Sequence, residues 1–255
     1  MKKIFTFAML LSLSFALASA QTTLDGDMNH DGVLNTSDVT LLIEKILNPD
    51  PEPVTHEYVD LALPSGVLWA TCNIGAENPE DGGLFFAWGE TVGYSAADGH
   101  TFDWINYQLC DSSETTMTKY CTKSNYGVVD SLTVLEAADD AATVNWGSEW
   151  RMPTKAEFVE LVNKEYTTSA WTEVNGVYGC KITSNTNGNS IFIPAAGFIN
   201  GTELKSVGSW GFVWSSSLYA SSYSAWGLLF GGSAGGSGSS KRNIGRSVRP
   251  VRVAQ

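Results

Sequence analysis

VNWGSEWRMPTKAEF, residues 144–158, carries the densest structural information in the chain. Thr154 is followed three residues later by Glu157, with Pro153 just before it. In that spacing the threonine hydroxyl accepts from a free N–H of the first helical turn while the glutamate reaches back to the cap N–H, so a helix starts here. Phe158, Leu161, Val162 and Glu165 continue it at helical spacing. Upstream, Leu132, Leu135, Ala138 and Ala142 predict a second helix. Everything else reads as short strands between turn residues: Val67–Cys72, Leu84–Trp88, Tyr178–Thr183, Ser190–Pro194, Gly211–Ser215, Ala225–Phe230 and Ser247–Val253. Two helices among many short strands, without βαβ alternation, predict an α+β domain of short antiparallel strands.

Composition agrees. The chain has 255 residues, 43% hydrophobic, 11% aromatic and 16% charged, which is the make-up of a folded protein with a full core. With 27 acidic against 15 basic side chains the formal charge is −12. That balance excludes a nucleic-acid-binding surface spread over the molecule.

Residues 1–20 have the form of a cleaved secretory signal peptide: Lys2 and Lys3, an apolar run from Ile4 to Ala18, and Ala18-Ser19-Ala20 before Gln21. The run is short of the roughly 20 residues that span a bilayer, so no membrane span is expected. Loss of the two lysines would leave a charge of −14, on a protein secreted or held at the cell surface. In an oxidising compartment Cys72, Cys110, Cys121 and Cys180 can form disulfides, and four cysteines permit three pairings. Closing the short Cys110–Cys121 loop costs least entropy and leaves Cys72 for Cys180; four buried thiols are the alternative. There is no C-x-x-C, and His30, His56 and His100 are scattered, so zinc and thiol redox chemistry find no support.

DMNHDGVLNTSD, residues 27–38, has oxygen donors at alternating positions: Asp27, Asn29, Asp31, the Val33 carbonyl, Asn35 and Asp38, with Gly32 at the sharp turn. This spacing suits calcium, a hard cation that takes six to eight oxygens; magnesium is disfavoured by its tight octahedron and retained waters. Val39, Leu42, Ile43, Ile46 and Leu47 then form an amphipathic stripe that ends at Asn48-Pro49. Such a stripe cannot be buried by one helix alone, and demands the following domain or another protein. The aspartate at the last loop position and the missing preceding helix make residues 25–47 resemble a single dockerin type I repeat. That resemblance implies a cohesin partner, with Thr36 and Ser37 at the contact pair; dockerins normally carry two repeats, and one is found here. The dockerin-like segment spans 21–48, and a Pro-rich spacer, 49–55, separates it from the main domain at 56–255.

Seven blocks of the main domain, VDLALPSGVLWATCNIGA (59–76), FFAWGET (85–91), MTKYC (117–121), VNWGSEWRMPTKAEF (144–158), NGNSIFIPAAGF (187–198), FVWSSS (212–217) and GRSVRPVR (245–252), resemble the Fibrobacter succinogenes major paralogous domain, in family order. The resemblance covers essentially all of 56–253 and implies a C-type lectin-like fold in a secreted protein of Bacteroidota. Ala62 stands where that family usually has glycine. WRMPTKAEF is also similar to a segment of formylglycine-generating enzymes, but that activity needs paired cysteines late in the domain, and none follows Cys180. A helix cap with a charged pair accounts for Arg151 and Glu157.

No catalytic constellation emerges. Gly231-Gly232-Ser233-Ala234-Gly235 satisfies G-x-S-x-G, yet no histidine follows His100 and the serine lies in a low-complexity run. Glu90, Asp103, Asp139, Asp140 and Glu149 are carboxylates from which a hydrolytic pair could be drawn, without a spacing that selects one. From Leu204 onward the chain has no acid and six bases: Lys205, Lys241, Arg242, Arg246, Arg249 and Arg252. This asymmetry predicts pairing of the terminal arginines with the acidic body, and an anion-binding face as the alternative. Trp210, Tyr219 and Tyr223, set among serine and glycine, are the predicted ligand-contacting aromatics, with the 231–240 stretch as an exposed loop beside them; Trp214 and Trp226 are expected in the core. The EPN, QPD and WND signatures of calcium-dependent sugar binding are absent. The sequence therefore predicts a secreted, non-enzymatic module for a glycan or protein ligand, carrying a calcium-loaded attachment repeat. The alternative is an accessory or catalytic component of an extracellular polysaccharide-degrading assembly.

Overall fold

The computed structural model describes Gly26 and residues 32–47, 55–232 and 234–253. Two compact units divide at Val54/Thr55. In the first, α1 (Thr36–Leu47) starts at Asn35, whose Oδ1 accepts from the Ser37 N–H at 2.7 Å while Asp38 Oδ2 accepts from the Asn35 N–H at 2.8 Å. This reciprocal arrangement satisfies two orphan donors of the first turn. The apolar residues Val39, Leu42 and Ile43 on α1 are exposed. The predicted signal segment 1–20 lies outside the described residues, as does most of the spacer.

The second unit runs β1 (Tyr58–Asp60), β2 (Val67–Ala70), a 3-10 turn (Ala137–Asp139), α2 (Ala141–Trp146), β3 (Trp150–Arg151), α3 (Lys155–Leu161), β4 (Thr167–Val174), β5 (Val177–Ser184), β6 (Ser190–Pro194), β7 (Phe198–Asn200), β8 (Glu203–Lys205), β9 (Trp210–Leu218), β10 (Ser224–Gly231), β11 (Ala234–Lys241) and β12 (Val251–Val253). These strands make four antiparallel sheets, in the orders β1-β2-β12-β3, β11-β10-β9, β4-β5-β6 and β7-β8. The α+β class expected from the sequence is the class observed. In the first sheet β12, from the end of the chain, enters between β2 and β3, so the domain closes on contacts between its two ends.

Local chemistry explains the elements. The capping box at α3 is present in full: Thr154 Oγ1 accepts from the Glu157 N–H at 3.3 Å, and Glu157 Oε2 accepts from the Thr154 N–H at 2.7 Å. β4 and β5 are joined by Asn175-Gly176, both at positive φ (49° and 85°), as the two-residue hairpin turn of matching twist requires. The core is built on large side chains: Trp69, Trp88 and Trp214 are completely buried. Trp69 packs with Phe158 and Leu161 of α3, whereas Trp88 and Trp214 pack with Phe86, Tyr120 and Trp150.

Four expectations are corrected. No α-helix spans 132–142; Val134 pairs with Ser217, and the Leu135 N–H donates to the Ser216 carbonyl at 2.9 Å, so the chain is pinned extended on β9 there before the 3-10 turn and the Asp140 cap of α2. Residues 84–88 are extended without a ladder, because Phe85 pairs with Tyr94 and Phe86 with Arg246. Of 247–253 only β12 is a strand. The glycine-serine run expected as a loop is β11, aligned residue by residue with β10. Packing is close at Gly238, where a Cβ would meet Leu229 Cδ1 and Cδ2 at 3.2 Å, and open at Gly236, where it would meet nothing.

Candidate functional site

VNWGSEWRMPTKAEF, which starts α3, also walls a cleft of about 590 Å³. That volume is within the range of small-ligand sites. Trp150, Arg151, Met152 and Thr154 form one side; Val134, Leu135 and Ala137 form another; Asp140, Glu149, Ser216 and Val253 complete it. Val134 and Val253 are exposed at its edge. The shape follows from Asp140. Its carboxylate accepts from the N–H groups of Ala142 (2.9 Å), Thr143 (3.1 Å) and Met152 (3.0 and 2.9 Å), which caps α2 and ties it to the chain leaving β3. Burial, the larger influence, raises the Asp140 pKa against the lowering effect of these donors and of Arg151.

The other charges of the cleft are similarly committed. Arg151 forms a fork on Glu157, Nη1 to Oε2 at 2.8 Å and Nη2 to Oε1 at 2.5 Å, and Nη1 also donates to the Met152 carbonyl. Burial favours a protonated Glu157, but the guanidinium and the Thr154 N–H overcome it and hold the carboxyl below its usual range. Arg252 pairs with Glu149 at 3.0 Å across the rim. The cap-and-pair explanation of Arg151 and Glu157 matches this geometry.

A second cleft, about 300 Å³, brings Glu90 and Asp139 together beside Tyr94, Gln108 and Leu109. Asp139 is held by Lys119 at 2.5 Å and by the Tyr120 hydroxyl at 2.6 Å. Glu90 accepts only the Gln108 N–H, at 2.7 Å. Burial raises its pKa, against that hydrogen bond. Asp103 is used locally, accepting from the Ile105 and Asn106 N–H groups.

The predicted aromatic contacts do not form one site. Tyr219 and Tyr223 lie in the turn between β9 and β10, and Trp210 begins β9. The nine residues of β9, at about 3.3 Å each, separate Trp210 from Tyr219 by roughly 30 Å. Both tyrosines are half-buried rather than exposed: Tyr219 packs edge-on against Trp226 at 4.7 Å, and Tyr223 against Tyr126 at 5.2 Å. Trp210 is 45% exposed. Trp214 is a core residue as expected, while Trp226 is half-buried beneath the Lys155 ammonium.

All four cysteines are free thiols, so the expected Cys110–Cys121 and Cys72–Cys180 disulfides are absent. Cys110 donates to the Trp104 carbonyl at 3.3 Å and Cys121 to the Lys123 carbonyl at 3.2 Å, each thiol turned to its own loop. Cys180 lies in the core of the β4-β5-β6 sheet.

The terminal arginines depart from the expected pairing. Among the six bases, Lys205, Lys241 and Arg252 have carboxylate partners. Arg242 and Arg249 are fully buried without one. Arg242 donates to Tyr107 Oη and to the carbonyls of Tyr120, Ser222 and Lys119; Arg249 donates to Asn73 and to the carbonyls of Ala70, Thr71 and Phe192. These two side chains stitch the end of the chain to distant loops. Arg246, 4% exposed, lies over the rings of Phe212 and Trp214 at 4.8 and 4.6 Å, and its Nε and Nη1 have no hydrogen-bond partner. The acid-free run of arginines was the visible signal; their burial was not.

Of the predicted calcium ligands, Asp27, Asn29 and Asp31 lie outside the described residues. Val33, Asn35 and Asp38 gather at the start of α1, and Gly32 has φ +82°, the left-handed conformation that the sixth loop position demands. Among the described residues no group of three His, Cys, Asp or Glu side chains stands together. Asp38 is buried (3% exposed) and accepts from the Asn35 N–H, so the carboxylate expected at the last loop position already serves the helix cap.

No family model, curated protein or solved structure matches the chain. Among the described residues no helix is long and apolar enough to cross a membrane.

Proposed function

We propose that this protein is a secreted or cell-surface binding module that holds a glycan or protein ligand without transforming it. In this reading residues 1–20 are its signal peptide, 56–255 form a C-type lectin-like domain akin to the Fibrobacter succinogenes major paralogous domain, and 21–48 form a calcium-binding, dockerin-like repeat that attaches it to a cohesin-like partner. One observation carries the binding assignment: the 590 Å³ cleft is shaped by charges that are already paired, Asp140 to three backbone N–H groups, Arg151 to Glu157 and Arg252 to Glu149. A cleft of this kind offers shape, an aromatic wall and rim hydrogen bonds, but no uncommitted acid or base for a reaction.

The test is binding of the purified protein to a glycan array and to a panel of secreted proteins, with the cleft obstructed by Val253→Trp and by Ser148→Trp, the serine being a further lining residue. Loss of a wild-type signal in both variants supports the assignment; an undiminished signal removes the cleft from it. For the repeat, calorimetry should show calcium uptake abolished by Asp27→Ala and by Asp31→Ala, and retained affinity would refute the loop as the site.

The reading as a component of a polysaccharide-degrading assembly is favoured by Glu90, whose raised pKa in a cleft suits a general acid. Hydrolysis of a polysaccharide panel that disappears in Glu90→Gln would establish it and overturn the non-catalytic assignment.

A further inference from the structure

We infer that Arg246, with the aromatic strip beside it on β9, is a recognition site for a carboxylate-bearing sugar, a uronate unit of an acidic glycan.

Arg246 differs from its neighbours in one respect. The guanidinium groups of Arg242 and Arg249 are equally buried, and their nitrogens reach hydroxyl, amide and carbonyl oxygens. The same segment thus shows how this fold satisfies a buried arginine. At Arg246 it does not: Nε and Nη1 are sealed from solvent without an acceptor, and among the described residues no carboxylate pairs with the group. A buried guanidinium that meets only ring faces is incompletely compensated. A carboxylate is its natural complement, because the planar fork matches two oxygens at once. Burial lowers the Arg246 pKa to about 9, which leaves it cationic at neutral pH.

The surroundings choose the rest of the ligand. Trp210, Phe212 and Trp214 alternate along β9 and stand opposite Gly231, Leu229 and Gly227 of β10, all on one face of the sheet. Exposure along this strip grades from Trp210 (45%) through half-buried Phe212 to buried Trp214. The glycines leave room on this face: a Cβ on Gly231 would meet the Trp210 ring at 3.2 Å, and one on Gly227 would clash with the Val213 carbonyl at 2.5 Å and lie 3.4 Å from Arg246 Nη1. An open aromatic ring grading into a buried cation suits a ligand with an apolar ring face and one negative charge. A uronate supplies both.

This site is separate from the 590 Å³ cleft and stands or falls independently of it. Calorimetry and thermal shift on the full chain, with sodium D-glucuronate and short galacturonate oligomers, should show saturable binding. Glucose, and sodium acetate or chloride at matched ionic strength, should show none. Arg246→Met keeps the side-chain length and removes the uncompensated charge; it should fold and lose at least tenfold in affinity. Arg246→Lys, charged but without the fork, should lose about as much, and Trp210→Ala should weaken the oligomers more than the monosaccharide. Val253→Trp, which obstructs the cleft, should leave uronate binding unchanged. No saturable uronate binding, or equal affinity in Arg246→Met, overturns the inference. Acetate binding as tightly as glucuronate overturns the sugar and leaves a simple anion site.

Discussion

Asp140→Ala is the sharpest test of how the cleft is built. The Asp140 carboxylate, 4% exposed, is the acceptor for three backbone N–H groups, at 2.9 to 3.1 Å. Two of those donors belong to fully buried residues, Ala142 and Met152; Thr143 is half-buried and can turn to water. Each buried donor left without an acceptor costs about 1–3 kcal/mol. Losing the helix N-cap costs about 1 kcal/mol. The contributions share one side chain and overlap, so about 3–5 kcal/mol is expected. In a domain of this size each kcal/mol lowers Tm by about 2–4 °C, which gives a fall of roughly 6–20 °C. Asp140→Asn retains one oxygen on the same geometry and should lose roughly 1–2 kcal/mol. Urea titration followed by tryptophan fluorescence and by far-ultraviolet circular dichroism would measure both variants, since Trp146 and Trp150 flank the affected turn. If Asp140→Ala stays within about 1 kcal/mol of wild type, the N–H groups find other acceptors, and the carboxylate does not shape the cleft.

Three further outcomes follow from the same geometry. Ala62, at φ +51°, should gain about 0.5–1 kcal/mol on replacement by glycine, because the left-handed cost of a Cβ exceeds the added entropy of the unfolded chain; a loss in urea titration would refute the strain. Glu90→Gln should stabilise at pH 7 and be neutral near pH 4. A raised folded pKa means that wild type loses stability as pH climbs from the unfolded value through the folded one, and a stability difference that is flat with pH would contradict this. Glu157→Gln should behave oppositely. Its depressed pKa contributes stability above the unfolded value that is lost as pH falls, so the deficit of the variant should be largest at pH 7 and shrink towards pH 3.

What the sequence disclosed was local. The box at Thr154 and Glu157 fixes the start of α3 because its partners are three residues apart, and β5, β6 and β10 lie within a residue or two of their predicted limits because an apolar run bounded by turns is a complete signal. Spacing failed where a distant strand decides the conformation. Leu132, Leu135 and Ala138 have helical intervals, yet Ser216 and Ser217 of β9, about eighty residues on, capture that backbone as extended chain. β4 was missed although Asn175-Gly176 marks its hairpin, since Thr167–Val174 alternates too weakly to stand out. β11 has no side-chain pattern to read; it is defined by what Phe230 and Leu229 place over its glycines.

The same division separates the charges that could be anticipated from those that could not. An acid-free carboxyl-terminal segment on an acidic protein suggests ion pairing when charges are counted, since counting treats every arginine as a surface group. Register decides otherwise. Arg242, Arg246 and Arg249 are carried inward because β12 inserts between β2 and β3, which draws the preceding nine residues, 242–250, through the interior between two hydrophobic clusters. Once inside, an arginine can be satisfied by carbonyls that irregular chain leaves unpaired, and the loops at 70–73 and 119–122 supply them for Arg249 and Arg242. Around Arg246 the backbone is committed to strand pairing, with Phe86 on one side and Gly227 opposite Trp214 on the other, so rings are all that remain. The unsatisfied guanidinium is therefore a consequence of topology, and it lies on the only one of these three arginine environments that continues along a strand to an exposed tryptophan.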